Sequence, residues 1–323
     1  MSEAPPLNLF AQQESNRRRS FWLVTGFVLF FAWIGFGGDL AFYLQTRDLP
    51  PESYHHFVPF IGIGATLVAA GISWYSWHNG AGRVLWAAGA WELIDPATPE
   101  QKQLVNVVEE MSIAAGLPKP EVYVIDDPSP NAFATGISPN RAAITATTGL
   151  LTMMNREELE GVISHEMSHI KNYDVRLILI VSTLIGFAAL LASLAWRSLF
   201  FARPRGRDAE QFVLVMVVAA ALLTVVGVIV GPLIKLALSR RREELADVSG
   251  ANLTRNPVGL MHALQKLEQN YKPFAKFNHA TAAMCIDDPL QHHEPWFHHL
   301  FDTHPPLEER IAILDRIAHG QPA

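Results

Sequence analysis

Four long stretches without a charged residue constrain the fold of this chain more than any other feature. Crossing about 30 Å of hydrocarbon as an α-helix takes roughly 20 apolar residues. The stretches run from Phe21 to Gly38, Phe57 to Trp77, Leu177 to Trp196 and Phe212 to Ile234. Buried helices of a soluble protein are the alternative, but such helices seldom stay apolar on every face for five turns. The pattern predicts an integral membrane protein with four hydrophobic helices in two hairpins.

The charges beside these stretches predict how the chain is oriented. Arg17, Arg18 and Arg19 precede the first stretch, so the positive-inside rule places this end in the cytoplasm. No small-residue cleavage site follows that stretch, which favours a membrane anchor over a cleaved signal peptide. Two hairpins would return the segments 79–176 and 239–323 to the cytoplasm. Arginines between the third and fourth stretches run against the rule, so a second hairpin that only dips into the bilayer is an alternative.

A pair of histidines at helical spacing lies between the two predicted hairpins. His165 and His169 are one helical turn apart on the same face, and Glu166 points about 100° around the axis. Asn155 and Glu158 form a capping-box pattern before an apolar stripe, which independently predicts a helix. Two imidazoles and a carboxylate at this spacing are typical of a zinc protease. Histidines that merely line an ordinary helix face are the alternative, so a third ligand is needed.

The segment after the fourth stretch offers a third ligand. Glu243 and Asp247 share a helix face, where the glutamate could bind metal and the aspartate could accept the second ring N–H of a ligating histidine. Glu244 competes with Glu243, and a solvated helix with ion pairs is the alternative for both glutamates. The histidine-rich segment 291–299 contains a proline and lacks helical spacing, which makes it a poor rigid site.

The sequence before the histidine pair predicts one helix and a small sheet. Thr98 and Pro99 open a helix that runs to about Ala115 and ends at Gly116. Short strands are predicted over residues 121–125, 131–137 and 142–147, with a turn at 138–141 between the last two. An antiparallel edge beside the zinc helix would offer backbone groups to an extended substrate.

Several of these motifs, in the same order, resemble those of the HtpX-type membrane zinc metalloproteases, which are related to the CAAX prenyl endoproteases. The resemblance extends over most of the chain, and several motifs in register are more specific than any one. They are residues 126–136, the helix from Leu159 to Arg176, residues 242–247, Asn256-Pro257, residues 278–281 and residues 303–310. Met284-Cys285 departs from the family pattern, which has a more polar residue there.

The resemblance implies roles for individual residues. Glu243 would be the third ligand of one zinc ion per chain, with Asp247 behind it, and Glu166 would be the general base toward zinc-activated water. His304 and Arg310 would stabilise the tetrahedral oxyanion, with helix-start packing and a surface ion pair as their alternatives. The strand that would bind substrate consists of Asn131, Ala132, Phe133, Ala134, Thr135 and Gly136.

The expected fold is a mainly α integral membrane protein with two hydrophobic hairpins and a cytoplasmic α+β, zincin-like catalytic domain that contains a small β-sheet. The predicted segments are a cytoplasmic tail (1–20), a first hairpin (21–78), the zinc-helix part of the catalytic domain (79–176), a second hairpin (177–238) and the third-ligand part (239–323). The resemblance implies a bacterial inner membrane location, with both termini cytoplasmic.

The expected function is zinc-dependent hydrolysis of peptide bonds in unfolded or damaged membrane proteins, as part of protein quality control. A proteolytically inactive, zinc-stabilised scaffold or chaperone is the alternative. Small-molecule transport is weaker, because Asp39 is the main charge near a predicted span. A net charge of −6 without a basic, aromatic-rich cluster argues against nucleic acid as a partner. Cys285 is the only cysteine, which excludes an internal disulfide and a thiolate-rich zinc site.

Overall fold

The computed structural model describes residues 9–46, 58–201, 207–225, 231–270, 285–286 and 306–321. The helices are α1 (Leu9–Thr46), α2 (Phe60–Ala87), α3 (Pro99–Ala115), α4 (Thr148–Met153), α5 (Arg156–Lys171), α6 (Asp174–Phe201), α7 (Arg207–Val225), α8 (Gly231–Thr254), α9 (Pro257–Gln269) and α10 (Leu307–Ala318). The strands are β1 (Trp91–Glu92), β2 (Glu121–Ile125), β3 (Ala132–Ser138) and β4 (Arg141–Thr147).

The chain divides into two compact units. An apolar unit comprises Ser20–His78 and Ile180–Pro232. The other unit, named the catalytic unit because it contains the predicted zinc-binding histidines, comprises Met1–Arg19, Asn79–Leu179 and Leu233–Ala323. The N-terminal end of α1 therefore belongs to the same unit as the histidine pair.

Three helices are long and apolar enough to cross a membrane among the residues that the structure describes. They contain Gln13–Leu44, Phe60–Ala87 and Asp174–Arg197. These segments include the first and third predicted stretches and most of the second. The fourth stretch is represented by the shorter apolar segment Met216–Val225, and residues 226–230 lie outside the described part of the chain. A mainly helical protein with three candidate membrane helices is thus established, and a fourth span stays a prediction.

The apolar unit carries hydrophobic side chains both inside and outside. Phe27, Phe31 and Leu184 belong to its buried core. Large apolar side chains also face outward, among them Trp33 and Leu67, which are 63% and 67% exposed. Helices that are apolar on all faces are suited to the hydrocarbon region of a membrane, because their outward side chains then contact lipid instead of water.

Asp39, the acidic residue noted near the end of the first stretch, has a structural role. Its carboxylate accepts hydrogen bonds from the backbone N–H groups of Ile61 (3.2 Å) and Gly62 (2.6 Å). These groups lie in the first turn of α2, where backbone donors have no partner within the helix and a negative charge is favourable. Asp39 therefore caps α2, which removes the main sequence feature in favour of transport.

The catalytic unit contains a four-stranded mixed sheet in the order β1-β2-β4-β3. β2 pairs with β4 in parallel, whereas β1 pairs with β2 and β3 pairs with β4 in antiparallel fashion. All three strands predicted from the sequence are present within one residue of their predicted bounds. β3 lies at the end of the sheet and packs against α5, which carries the histidine pair.

The two helix starts predicted from capping patterns are confirmed. Thr98 caps α3 in a capping box with Gln101, and Gly116 ends that helix in a left-handed conformation at φ 67°. Asn155 caps α5 in a capping box with Glu158. Each box satisfies backbone N–H groups that the first helical turn leaves without partners.

The prediction of one helix from Leu159 to Arg176 is wrong. α5 ends at Lys171, and α6 begins at Asp174 after a turn at Asn172 and Tyr173. Tyr173 adopts a left-handed conformation at φ 60°, which an α-helix cannot contain. The break changes the direction of the chain directly after the histidine pair.

The zinc-helix candidate α5 is the centre of the core of the catalytic unit. Its residues Val162 and Ile163 are fully buried in one cluster with Leu104 of α3 and Leu260 of α9. A Cβ atom added to Gly161 would lie 2.6 Å from the backbone nitrogen of Leu260. The absence of a side chain at this position therefore allows α9 to pack directly against α5.

Candidate active site

Two helices bring two histidines and a glutamate together. His165 and His169 lie one turn apart on α5, and Glu243 lies on α8. His165 Nε2 and His169 Nε2 are 3.1 Å apart, and each lies 3.5 Å from one carboxylate oxygen of Glu243. All three side chains are buried. They form the one group of potential metal ligands found among the described residues.

The separations within this group fit a single metal ion. A tetrahedral zinc ion with ligand bonds of about 2.0–2.2 Å keeps its ligand atoms roughly 3.3–3.5 Å apart. The charges fit as well, because the carboxylates of Glu166, Glu243 and Asp247 are buried there, and among the described residues Arg310 is the one guanidinium that forms ion pairs with Glu243 and Asp247. Buried carboxylates in excess of nearby cations are costly, and a divalent ion would offset them. The cluster is therefore suited to a divalent cation.

His165 is oriented by an acidic partner on the helix that also carries Glu243. Its Nδ1 lies 2.9 Å from Asp247 Oδ1. Asp247 in turn accepts two hydrogen bonds from Arg310, from Nε at 2.8 Å and from Nη2 at 2.7 Å. With Nδ1 donating to the aspartate, Nε2 of His165 faces the cluster and can bind a metal ion once its own proton has left.

The same contacts set the protonation of these buried groups. Burial by itself would raise the pKa of Asp247, but Arg310 and the hydrogen bond from His165 hold that pKa below its ordinary value. Burial and Arg310 oppose a proton on His165, yet the hydrogen bonds with Asp247 and Glu243 outweigh them and raise its pKa to about 9. A metal ion that binds here has to displace this proton.

His169 has its own acidic partner, which the sequence reasoning missed. Its Nδ1 lies 3.0 Å from Oδ2 of Asp174, a fully buried residue in the first turn of α6. Asp174 follows His169 by five residues, so a continuous helix would have turned it away from the ring. The break at Asn172 and Tyr173 brings it back. Both histidines therefore donate Nδ1–H to a carboxylate and present Nε2 to each other and to Glu243.

Glu166 lies beside the cluster without belonging to it. Its carboxylate is buried, interacts electrostatically with His165, His169 and Glu243, and accepts a hydrogen bond from the backbone N–H of Ala134. Burial is the main influence and raises the pKa of Glu166 above its ordinary value, although the two histidines oppose this effect. The carboxylate thus sits between the potential metal ligands and β3.

The outer edge of β3 is in part covered by another segment of the chain. Phe133 forms an antiparallel bridge with Cys285, and the N–H of Ile286 donates to the carbonyl oxygen of Ala132 at 2.9 Å. The carbonyl oxygen of Ile286 accepts a hydrogen bond of 3.1 Å from Arg310 Nη1. The pair Cys285-Ile286 therefore connects the predicted substrate strand with the group behind His165.

The structure distinguishes between the candidates that the sequence left open. Glu243 is buried beside the histidines, whereas Glu244 is exposed. Arg310 is buried, with its guanidinium against Asp247, Glu243 and the carbonyl of Ile286. His304 and the histidine-rich segment 291–299 lie outside the described residues.

Comparison with known proteins identifies the family. A model of peptidase family M48 matches residues 98–318, which contain all three potential metal ligands. The chain belongs to this family. A protease HtpX homolog of Lactobacillus helveticus is 38% identical over 316 residues, which cover 96% of this chain and all of the relative. A protease HtpX homolog of Dictyoglomus thermophilum is 42% identical over 309 residues, which cover 96% of this chain and 95% of the relative.

A more distant similarity is found among solved structures. The crystal structure of Ste24p from S. mikatae aligns with 91% of this chain and 66% of its own chain, at 17% identity and a TM-score of 0.48.

Family membership and the structure agree on the class of protein. An M48 peptidase with three candidate membrane helices and a buried His-His-Glu cluster is a membrane metalloprotease. The resemblance stated from the sequence motifs is confirmed, and so is the predicted enzyme class.

Proposed function

We propose that this protein is a zinc-dependent endopeptidase that hydrolyses peptide bonds of unfolded or damaged membrane proteins. The observation that carries the proposal is the convergence of His165, His169 and Glu243 beside the carboxylate of Glu166. The three potential ligands among the described residues would leave a fourth coordination position open, as in catalytic rather than structural zinc sites. Zinc in this position supplies a Lewis acid that polarises a carbonyl group and lowers the pKa of water.

Glu166 is the proposed general base. Its carboxylate takes a proton from the water whose oxygen attacks the scissile carbonyl carbon. It then delivers that proton to the amine nitrogen as the carbon–nitrogen bond breaks. Burial raises the pKa of Glu166 toward the working range of an acid–base catalyst. Its hydrogen bond with the N–H of Ala134 holds the carboxylate toward β3.

β3 is the proposed binding strand for the substrate. An extended peptide that adds to the outer edge of Asn131–Gly136 gains main-chain hydrogen bonds with little demand on its side chains, which suits unfolded segments. Ala132 now uses its carbonyl on this edge to accept the N–H of Ile286. Substrate therefore competes with the Cys285-Ile286 segment for the same backbone groups.

Arg310 and His304 have different roles in this proposal. All three guanidinium nitrogens of Arg310 have acceptors in Asp247 or Ile286. This geometry favours a positioning role behind His165 over direct contact with an oxyanion. Stabilisation of the oxyanion by His304 stays a prediction from the family resemblance.

The proposed substrates follow from the attachment of the catalytic unit to membrane helices. α1, α2 and α6 each contain residues of both the apolar and the catalytic unit. A protease attached in this way meets proteins of the same bilayer. We further propose that the catalytic unit and both termini are cytoplasmic, because Arg17, Arg18 and Arg19 flank the first span.

The test compares the full-length protein with its Glu166→Gln variant in detergent. Each is loaded with zinc, its metal content is measured, and it is incubated with an unfolded soluble polypeptide and with a destabilised membrane protein. Products are identified by mass spectrometry. We expect equal metal content and cleavage by the parent alone. Equal cleavage by both proteins would contradict the role of Glu166, and no cleavage by either would favour a scaffold.

A further inference from the structure

A buried asparagine near the N-terminus contacts the group that orients His169. Asn16 lies in the first part of α1 and is fully buried. Its side-chain amide nitrogen donates to Oδ1 of Asp174 at 2.7 Å and to the backbone carbonyl of Asn172 at 2.9 Å. The two contacts join parts of the sequence that are 156 and 158 residues apart.

These two hydrogen bonds hold the break between α5 and α6. Asn172 and Tyr173 form the turn, and Asp174 is the first residue of α6. A second contact holds the same end of α1, because the guanidinium of Arg17 lies 5.2 Å from the centre of the Tyr173 ring. The N-terminal end of α1 is therefore packed on the turn that brings Asp174 to His169.

Asp174 is held through both of its oxygens. Oδ1 accepts from Asn16 at 2.7 Å, and Oδ2 lies 3.0 Å from Nδ1 of His169. A carboxylate held at one oxygen has a defined direction at the other, so the donor on Asn16 limits the rotation of the His169 ring. Groups behind a metal ligand commonly change metal affinity by about 10–100-fold when they are removed.

We propose that Asn16 is a positioning residue of the active site, which acts through Asp174 on His169. The first candidate membrane helix then helps to position a metal ligand, in addition to anchoring the protein. The inference rests on the proposed role of His169 as a metal ligand. It predicts that the site binds metal weakly when the amide of Asn16 is removed, although no ligand and no catalytic group has changed.

The experiment measures the zinc dissociation constant of the purified full-length protein in detergent, by competition with a chelator. Asn16→Leu keeps the approximate size of the side chain and removes the donor, and Asn16→Ala removes most of the side chain. Ser20→Ala is the matched control, because Ser20 is also a buried polar residue and lies one turn further along α1. We expect both Asn16 variants to bind zinc about 10-fold more weakly, the lower end of the range for groups behind a ligand because Asp174 is retained, and the Ser20 variant to bind as the parent does.

A double-mutant cycle separates this effect from a general loss of stability. In an Asp174→Ala background the Asn16→Ala substitution should have a much smaller effect on zinc affinity, because only its hydrogen bond to the carbonyl of Asn172 is left to lose. Equal additional losses in both backgrounds would overturn the proposal, as would parental affinity in a folded Asn16→Leu protein.

A His169→Ala variant tests the ligand itself. If the parent fails to bind one zinc ion, or if His169→Ala binds as the parent does, the proposed metal site is wrong. If His169→Ala binds zinc more weakly than the parent while both Asn16 variants bind it with parental affinity, the metal site stands and only the proposed role of Asn16 is wrong.

Discussion

At the scale of single residues, adjacent glutamates on α8 have opposite surroundings. Glu243 is buried within 3.5 Å of both histidines, and Glu244 is exposed. The difference arises because neighbours in a helix point about 100° apart. Because Glu243 and Glu244 have the same side chain, substituting each in turn tests whether a buried glutamate at this position binds the metal.

We expect Glu243→Gln to weaken zinc binding by more than about 100-fold, since the amide removes a charged ligand. Glu244→Gln should bind zinc as the parent does, because its side chain faces solvent. The dissociation constants are measured by chelator competition. Equal weakening in both variants would mean that the charge of α8 matters and the position of the ligand does not.

A second prediction concerns the ion pair behind His165. Asp247→Ala would leave the buried guanidinium of Arg310 without its carboxylate, and breaking a buried pair in this way costs about 3–5 kcal/mol. Denaturant unfolding in detergent measures this loss. The double variant with Arg310→Met should recover part of the stability, because the guanidinium that lost its main partner is no longer buried there. It should still bind zinc weakly, because His165 has lost its acceptor.

At the scale of elements, the close contact of α5 with α9 depends on Gly161. A Cβ atom there would lie 2.6 Å from the nitrogen and 2.7 Å from the Cα of Leu260, so the two backbones would have to separate. We expect Gly161→Ala to destabilise the protein by about 1–3 kcal/mol, measured from its thermal unfolding.

Gly82→Ala is the control for this substitution. Gly82 lies in α2, and a Cβ atom there would meet nothing within 4 Å. The added methyl group should therefore be neutral or stabilise the helix by up to about 1 kcal/mol. A similar loss of stability in both variants would contradict a specific role for the α5–α9 contact.

At the scale of the whole molecule, the catalytic unit combines three separate parts of the chain, Met1–Arg19, Asn79–Leu179 and Leu233–Ala323. Such a unit requires that the intervening segments leave and return on the same side of the membrane. The proposed orientation follows from this requirement together with the arginines before the first span.

The orientation can be tested by labelling single cysteines in a Cys285→Ala background. Glu14 and Glu109 are exposed residues of the catalytic unit, and Ser53 lies in the predicted loop between the first two membrane helices. A membrane-impermeant maleimide added to intact spheroplasts should label Ser53→Cys alone. Glu14→Cys and Glu109→Cys should react only after the membrane is broken. The opposite pattern would reverse the proposed orientation.

Spans, helix starts and strands could be predicted from the sequence, because each is encoded in neighbouring residues. Uncharged stretches predicted three of the candidate spans, caps at Thr98 and Asn155 predicted the starts of α3 and α5, and turn residues at 138–141 separated two of the predicted strands. The spacing of His165 and His169 predicted that they share a helix face. These features depend on local hydrogen bonds and on burial periods of a few residues.

Contacts between side chains that are far apart in the sequence became visible only in the tertiary structure. Asp174 reaches His169 because α5 breaks at Tyr173, and Asn16 reaches Asp174 across 158 residues. The Cys285-Ile286 pair beside β3 is likewise a contact between distant segments. No local period encodes such contacts, because they depend on how whole helices and strands pack. The potential metal ligands could therefore be named from the sequence, whereas Asp174 and Asn16, which orient His169, could not.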